Sequence, residues 1–127
     1  MEFYFPTEFG EQLAFGAAAA MVLIGAFVMF APGIAMKLFG VQPRDGRPEG
    51  YSAVRSAGGL IAGFAGTALL LAQPMVYFAL GSAVVLAAFG RVLSIMSDRG
   101  ATVANFLFLI VEIALAALPI IFFFGLV

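Results

Sequence analysis

The chain has 127 residues, of which 64% are hydrophobic and 10% are charged, and its formal net charge is −1. A soluble domain is nearer half apolar and a quarter charged, so we expect the lipid bilayer to be the solvent of this chain. The absence of Cys and His excludes thiol chemistry, disulfides, Cys/His metal sites and haem ligation by imidazole. We therefore predict no cofactor and no metal, and the charge balance offers no basic patch for nucleic acid.

Four apolar segments are long enough to cross a bilayer, which takes about 20 residues. They are predicted at about 13–30, 52–72, 75–95 and 102–127, with breaks at Ala31-Pro32-Gly33, at Gln73-Pro74 and at the turn 97–100. A short segment, IAMKLFG, follows the first break and is predicted to lie at the membrane interface before the polar loop GVQPRDGRPEG. The sequence thus predicts an all-α fold: one transmembrane domain over 1–127, an integral membrane bundle of four helices.

The basic residues indicate the orientation of the bundle. Each of them lies in or beside the loop at about 37–51 or the turn at 97–100; they are Lys37, Arg44, Arg47, Arg55, Arg91 and Arg99. The positive-inside rule places both of these connections in the cytoplasm and both termini outside, an N-out/C-out topology. The N-terminus, MEFYFPTEFGEQ, has no basic residue, so we expect the first span to be a retained helix rather than a cleaved signal.

Aromatic residues gather at the predicted outer ends of the spans. They are Phe3, Tyr4, Phe5, Phe9, Tyr77, Phe78, Phe122, Phe123 and Phe124. Such belts usually anchor helices at the interface, and we favour that interpretation over a rim that binds lipid or quinone.

Small residues recur at four-residue spacing, which aligns them on one helix face. The rows are Gly59, Gly63 and Thr67 on the second span, with Ala62 and Gly66 as a second row there, and Ala79, Ala83 and Ala87 on the third span. Because apolar burial cannot drive association inside lipid, such faces let helices approach closely. We predict that they pack the four helices together; the alternative is that one face docks onto another protein.

Three charged residues fall within the spans: Arg55, Arg91 and Glu112. Glu112 lies roughly 15 Å into the fourth span by helix rise, near the bilayer midplane. A charge there costs on the order of 3 kcal/mol for insertion, which the surrounding apolar residues outweigh. We predict a polar cluster of the three side chains, helped by Ser56 or Ser94. It could fix which helices touch, or relay protons or ions; we favour the first, because a relay needs several titrating groups.

No group of residues in the sequence supports ordinary catalysis. There is no His to act as a base and no Cys nucleophile, and the serines lack an evident activator. We therefore expect that the protein is not an enzyme.

Four motifs in fixed order carry a resemblance to a known family: APGIAMKLFGV (31–41), VRSAGGLIAGFAG (54–66), FGRVLSIMSDRG (89–100) and VEIALAAL (111–118). From about residue 13 onward the chain resembles a family of small bacterial four-helix inner-membrane proteins of unknown function. The resemblance implies a bacterial inner (plasma) membrane location and makes Arg55, Arg91 and Glu112 the family-like polar positions. A looser resemblance is to DoxX-like membrane proteins, some of which accompany quinone-linked redox systems; this sequence lacks the cysteines for thiol redox work.

Two functions are consistent with these features. The favoured one is a non-catalytic accessory or scaffolding subunit, surrounded by membrane lipids, that packs beside a larger membrane complex or into a homo-oligomer. Its basis is the absence of catalytic groups, the short loops and the small-residue faces. The alternative is a small transporter or channel that uses Glu112 as a proton or cation site.

Overall fold

A computed structural model describes residues 6–42 and 45–126. Within these ranges the chain forms five helices and no strand: α1 (Phe9–Phe30), α2 (Pro32–Phe39), α3 (Glu49–Leu71), α4 (Pro74–Ser97) and α5 (Val103–Phe123). The helices α1, α3, α4 and α5 have 21 to 24 residues each and are apolar enough to span a membrane. The predicted all-helical fold with four spans is confirmed, and the chain is a multi-pass membrane protein.

Some residues of the sequence interpretation fall outside the described ranges. They are Phe3, Tyr4 and Phe5 of the predicted aromatic belt, Arg44 of the charged loop, and the last residue of the fourth span.

Two of the long helices begin earlier than the apolar pattern predicts. α1 starts at Phe9 and α3 at Glu49, and each has an acidic residue in its first turn, Glu11 and Glu49. Negative charge near a helix N-terminus is favourable because the unpaired N–H groups there carry partial positive charge. The apolar stretch therefore predicts the start of each of these two helices about one turn too late.

The short segment after the first span is helical. Pro32 has no N–H to continue α1, and its fixed φ suits the first turn of α2. α2 ends at Gly40, whose φ of 74° lets the N–H of Val41 reach the carbonyl of Met36 at 2.8 Å.

The four long helices lie side by side in the order α3, α1, α5, α4. Contacts are extensive between α1 and α3 and between α4 and α5, smaller between α1 and α5, and slight between α3 and α4. We call the end with the 31–48 and 98–102 connections the inner end, and the opposite end, with the α3–α4 turn, the outer end. An alanine-rich apolar core fills the outer half; its buried members are Ala14, Ala17, Ala18, Met21, Ala65, Ala68, Tyr77 and Leu80.

Candidate functional site

A forked ion pair joins α4 to α5 in the inner half of the bundle. The Nε of Arg91 donates to Oε1 of Glu112 at 2.5 Å, and its Nη2 makes a longer contact of 3.5 Å with Oε2. The side chains are 27% and 21% exposed, respectively. Each charge thus has its neutralising partner within the chain, and the carboxylate uses both oxygens in a geometry that only a guanidinium can match.

Helix periodicity explains why these two residues meet. Glu112 lies nine residues after Val103, roughly 14 Å along α5, and Arg91 lies six residues before the end of α4, Ser97. The two helices are antiparallel and connected by a short turn, so Arg91 and Glu112 lie at similar distances from the inner end. The long Arg side chain covers the remaining difference in depth.

Asn105 connects this pair to the turn between α4 and α5. Its Oδ1 accepts a hydrogen bond from Nη1 of Arg91 at 2.9 Å, and its Nδ2 donates to the carbonyl of Gly100 at 2.9 Å. One orientation of the amide satisfies both bonds. The backbone N–H of Asn105 also donates to the hydroxyl of Thr102, the N-cap of α5, at 3.2 Å. The polar network therefore fixes the start of α5 as well as its middle.

The glycine in this turn allows a close backbone approach. The N–H of Gly100 donates to the carbonyl of Ser94 at 3.2 Å. A Cβ at Gly100 would lie 2.7 Å from that carbonyl oxygen and 3.1 Å from the amide nitrogen of Asn105. Any larger residue at position 100 would therefore collide with the carbonyl of Ser94 and crowd the side-chain amide of Asn105.

An aromatic contact extends the network to α2. The guanidinium carbon of Arg91 is 5.3 Å from the centroid of the Phe108 ring, within the range of a cation–π interaction. Phe108 in turn meets Phe39 of α2 edge to face, with ring centroids 5.1 Å apart. The short helix α2 is thus in contact with the residues that surround the ion pair.

Arg55 lies apart from this pair. Its Nη1 donates to the carbonyl of Met29, near the C-terminus of α1, at 2.9 Å. Carbonyls at a helix end lack helical partners and carry partial negative charge, which a guanidinium satisfies. The structure thus brings together two of the three predicted charged residues, Arg91 and Glu112. The third, Arg55, instead joins α3 to α1. Among the described residues, neither Ser56 nor Ser94 bonds to the pair through its hydroxyl.

Two of the small-residue rows identified in the sequence lie mostly on the outside of the bundle, whereas the second row on α3, Ala62 and Gly66, faces α1. Gly63, Thr67, Ala79, Ala83 and Ala87 are exposed, and Gly59 faces the sulfur of Met29.

A neighbouring row makes the close internal contact instead. A Cβ on Gly58 would lie 2.6 Å from the carbonyl oxygen of Gly25 and 2.6 Å from the backbone nitrogen of Met29. A Cβ on Gly25 would lie 2.6 Å from the backbone nitrogen of Ala62. α1 and α3 therefore touch backbone to backbone through the face that contains Gly58 and Ala62, of which Ala62 belongs to the second predicted row.

Several residues of the site were not singled out from the sequence, among them Asn105, Gly25 and Gly58. Asn105 precedes Glu112 by seven residues, two helical turns, so the same-face spacing is a signal that could have identified it. Gly25 continues a stripe at heptad-like spacing that starts at Ala14 and includes Ala18 and Met21, all of them buried.

The arrangement can hold α4 against α5 through the Arg91–Glu112 pair. Among the described residues no group of three or more acidic, His or Cys side chains could hold a metal ion. Arg91 and Glu112 neutralise one another, and removing one partner of a partly desolvated pair leaves an uncompensated charge.

The chain belongs to the family described as a domain of unknown function, DUF4345, whose model matches residues 12–123. No curated protein and no solved structure matches the chain. The match covers nearly all of the four long helices and includes the ion pair, so the family relationship extends over nearly the whole chain.

Proposed function

We propose that this protein is a non-catalytic accessory or scaffolding subunit that packs beside a larger complex in the bacterial inner membrane. The observation that supports the proposal is that the charged residues and the small residues face different directions in the bundle. The charges at membrane depth have partners inside the chain, whereas the outward faces of α3 and α4 carry rows of small residues that no helix of the chain covers.

The inward contacts of the charged residues favour a rigid helix bundle. The Arg91–Glu112 pair and the Arg55 bond to Met29 each join two helices, and Arg91 and Glu112 neutralise one another within the chain. A bundle held in this way presents a fixed outer surface, which suits a packing subunit.

The outward small residues favour contact with another helix. Lipid tails compete equally with apolar side chains, so helices in a membrane associate where small residues allow close backbone approach. Surfaces of this type are formed by Gly63 and Thr67 on α3 and by Ala79 and Ala83 on α4. We assign them to a transmembrane helix of the larger complex.

Single cysteines can test this assignment, because the chain has no Cys of its own. We would place Cys at Gly63 or Ala83 and, as matched controls, at Leu107 or Ile110, which are exposed on α5. In native membranes a short cross-linker should give one adduct of constant mass at the first two positions and none at the controls. Equal adducts at all four positions would reject a specific docking face.

Association should also depend on the size of the residue in the row. Gly63→Leu should abolish the adduct formed from Ala83→Cys without unfolding the protein, because nothing lies within 4 Å of a Cβ at Gly63. In a gentle detergent the native mass should exceed that of the 13.3 kDa chain. A monomer in every detergent contradicts the proposal, and a species made only of this chain replaces it with a homo-oligomer.

The second candidate is a transporter or channel in which Glu112 carries a proton or cation. The observation in its favour is that the pair is not fully enclosed, since the side chains of Arg91 and Glu112 retain 27% and 21% exposure. It predicts proton or cation flux in liposomes that Glu112→Gln abolishes while the protein remains folded. The accessory role predicts no flux above empty liposomes for either form.

A further inference from the structure

A cavity of about 780 Å³ opens between α2 and the first turn of α3, at the inner end of the bundle. Its volume is within the range typical of small-molecule sites. It forms because α2 leaves the line of α1 at Pro32 and because Gly40 turns the chain back, which brings Val41 and Gln42 opposite Tyr51. The cavity is separate from the Arg91–Glu112 pair and from the small-residue rows.

The cavity wall contains an available positive charge. Lys37 lines it, is exposed, and has no hydrogen-bond or ion-pair partner among the described residues. An ammonium group offers three donors and strongly favours an anion. Gln42 and Tyr51 line the same space and add an amide and a phenol as neutral donors.

The remaining wall is apolar and continues onto the exposed surface of α2. Ile34 and Val41 line the cavity. Ile34 and Leu38 are 59% and 61% exposed, so an apolar surface extends from the cavity along α2. A short helix with an apolar face and a basic residue at the inner end of a membrane bundle is typical of the interface between lipid headgroups and acyl chains.

We propose that this cavity binds an anionic phospholipid, with its phosphate at Lys37 and Tyr51 and the upper part of its acyl chains along Ile34. The donors alone would accept a free phosphate as well. The continuous apolar wall favours the lipid, because a soluble anion would leave it uncovered.

A tryptophan reporter can test the proposal, since the chain has no Trp. Tyr51→Trp would be reconstituted in phosphatidylcholine vesicles that contain an equal fraction of brominated phosphatidylglycerol or brominated phosphatidylcholine. We expect the anionic lipid to quench this Trp with about fivefold higher apparent affinity, the contribution of one Lys near an anionic lipid surface. Met75→Trp, exposed near the outer end of α4, should show no preference.

Two charge variants distinguish a specific lipid site at Lys37 from general electrostatic attraction of the protein to anionic lipids. In the Tyr51→Trp background, Lys37→Gln should reduce the preference to near one, whereas Arg99→Gln, which removes the same charge from the other inner connection, should leave it unchanged. Equal loss in both variants, or retention of the preference without Lys37, would overturn the proposal. Glycerol phosphate added in solution should not compete; if it empties the site, the ligand is a soluble phosphate.

Native mass spectrometry with Tyr51 intact gives an independent readout. In detergent with added phosphatidylglycerol, the unaltered chain and the Arg99→Gln variant should each retain one lipid through mild activation, and Lys37→Gln should retain about fivefold less. Equal retention by all three forms would reject the site even if the Tyr51→Trp chain does not fold.

Discussion

Two helix pairs of this bundle are held together by different means. α1 and α3 meet backbone to backbone at Gly25 and Gly58, and a polar contact between them, Arg55 with Met29, lies at the end of α1. α4 and α5 also approach closely, where Gly81 faces Ala116 and Ile120. They add an ion pair between Arg91 and Glu112 toward the middle of the membrane domain.

The difference indicates what the ion pair contributes. The first pair of helices shows that close packing can hold neighbours together without a charge at membrane depth. α5, however, contains no glycine and is almost uniformly Leu, Ile, Val, Ala and Phe. Its apolar contacts therefore determine its position and rotation relative to α4 only weakly. A slip or rotation of α5 would separate Glu112 from Arg91 and leave both charges facing hydrocarbon, which makes the observed register the favourable one.

Removing one partner of the ion pair should have the largest effect. Glu112→Leu leaves the guanidinium of Arg91 without its carboxylate, and the loss of one partner in a desolvated pair costs about 3–5 kcal/mol. Unfolding of the reconstituted protein in mixed micelles would measure it. Val111→Leu, at an exposed neighbouring position, is the control and should change stability little. Equal stability of the two variants would show that the pair does not hold α4 and α5 together.

Filling the glycine contact of the other helix pair should have a somewhat smaller effect. Gly58→Leu places side-chain atoms where the backbone of Gly25 and Met29 now lies, and such overpacking costs about 1–3 kcal/mol. The same unfolding experiment applies, with Gly63→Leu as the matched control on the exposed side of α3. If both glycine variants are equally stable, α1 and α3 do not depend on backbone contact.

The polar contact at the end of α1 should matter least. Arg55→Gln removes the bond to the Met29 carbonyl, but this bond is exposed and lies at the helix terminus, so we expect a loss of about 0.5–1 kcal/mol. Arg99→Gln is the control for the loss of a charge at the inner end. A loss as large as that of Glu112→Leu would mean that both helix pairs depend on charged contacts, and the contrast between them would disappear.

The sequence predicts the four spans well because hydrophobicity and helix breakers determine them. Pro32, Pro74 and the turn around Gly100 mark the ends, and each is a local feature. The depth of Glu112 is also predictable, since helix rise is constant.

Which arginine meets Glu112 is not predictable in the same way. Arg55 and Arg91 lie at similar distances from the inner end, so depth does not distinguish them. The choice depends on helix neighbours: α5 packs against α4 and α1 but has little contact with α3.

The packing face of α3 shows a similar limit. Gly59 with Gly63 and Gly58 with Ala62 are both small pairs at four-residue spacing. They differ by one residue, a rotation of about 100° on a helix. Spacing alone does not indicate which face turns inward, and here it is the face with Gly58, opposite Gly25 of α1.

A double-mutant cycle on Arg91 and Glu112 tests most directly whether the pair is a structural link between α4 and α5. The unfolding free energy would be measured for Arg91→Leu, for Glu112→Leu and for the double variant. If the pair is such a link, each single variant is destabilised, the double variant loses less stability than the sum of the two single losses, and the coupling energy is about 1–3 kcal/mol. Additive effects with a coupling energy near zero would contradict the account.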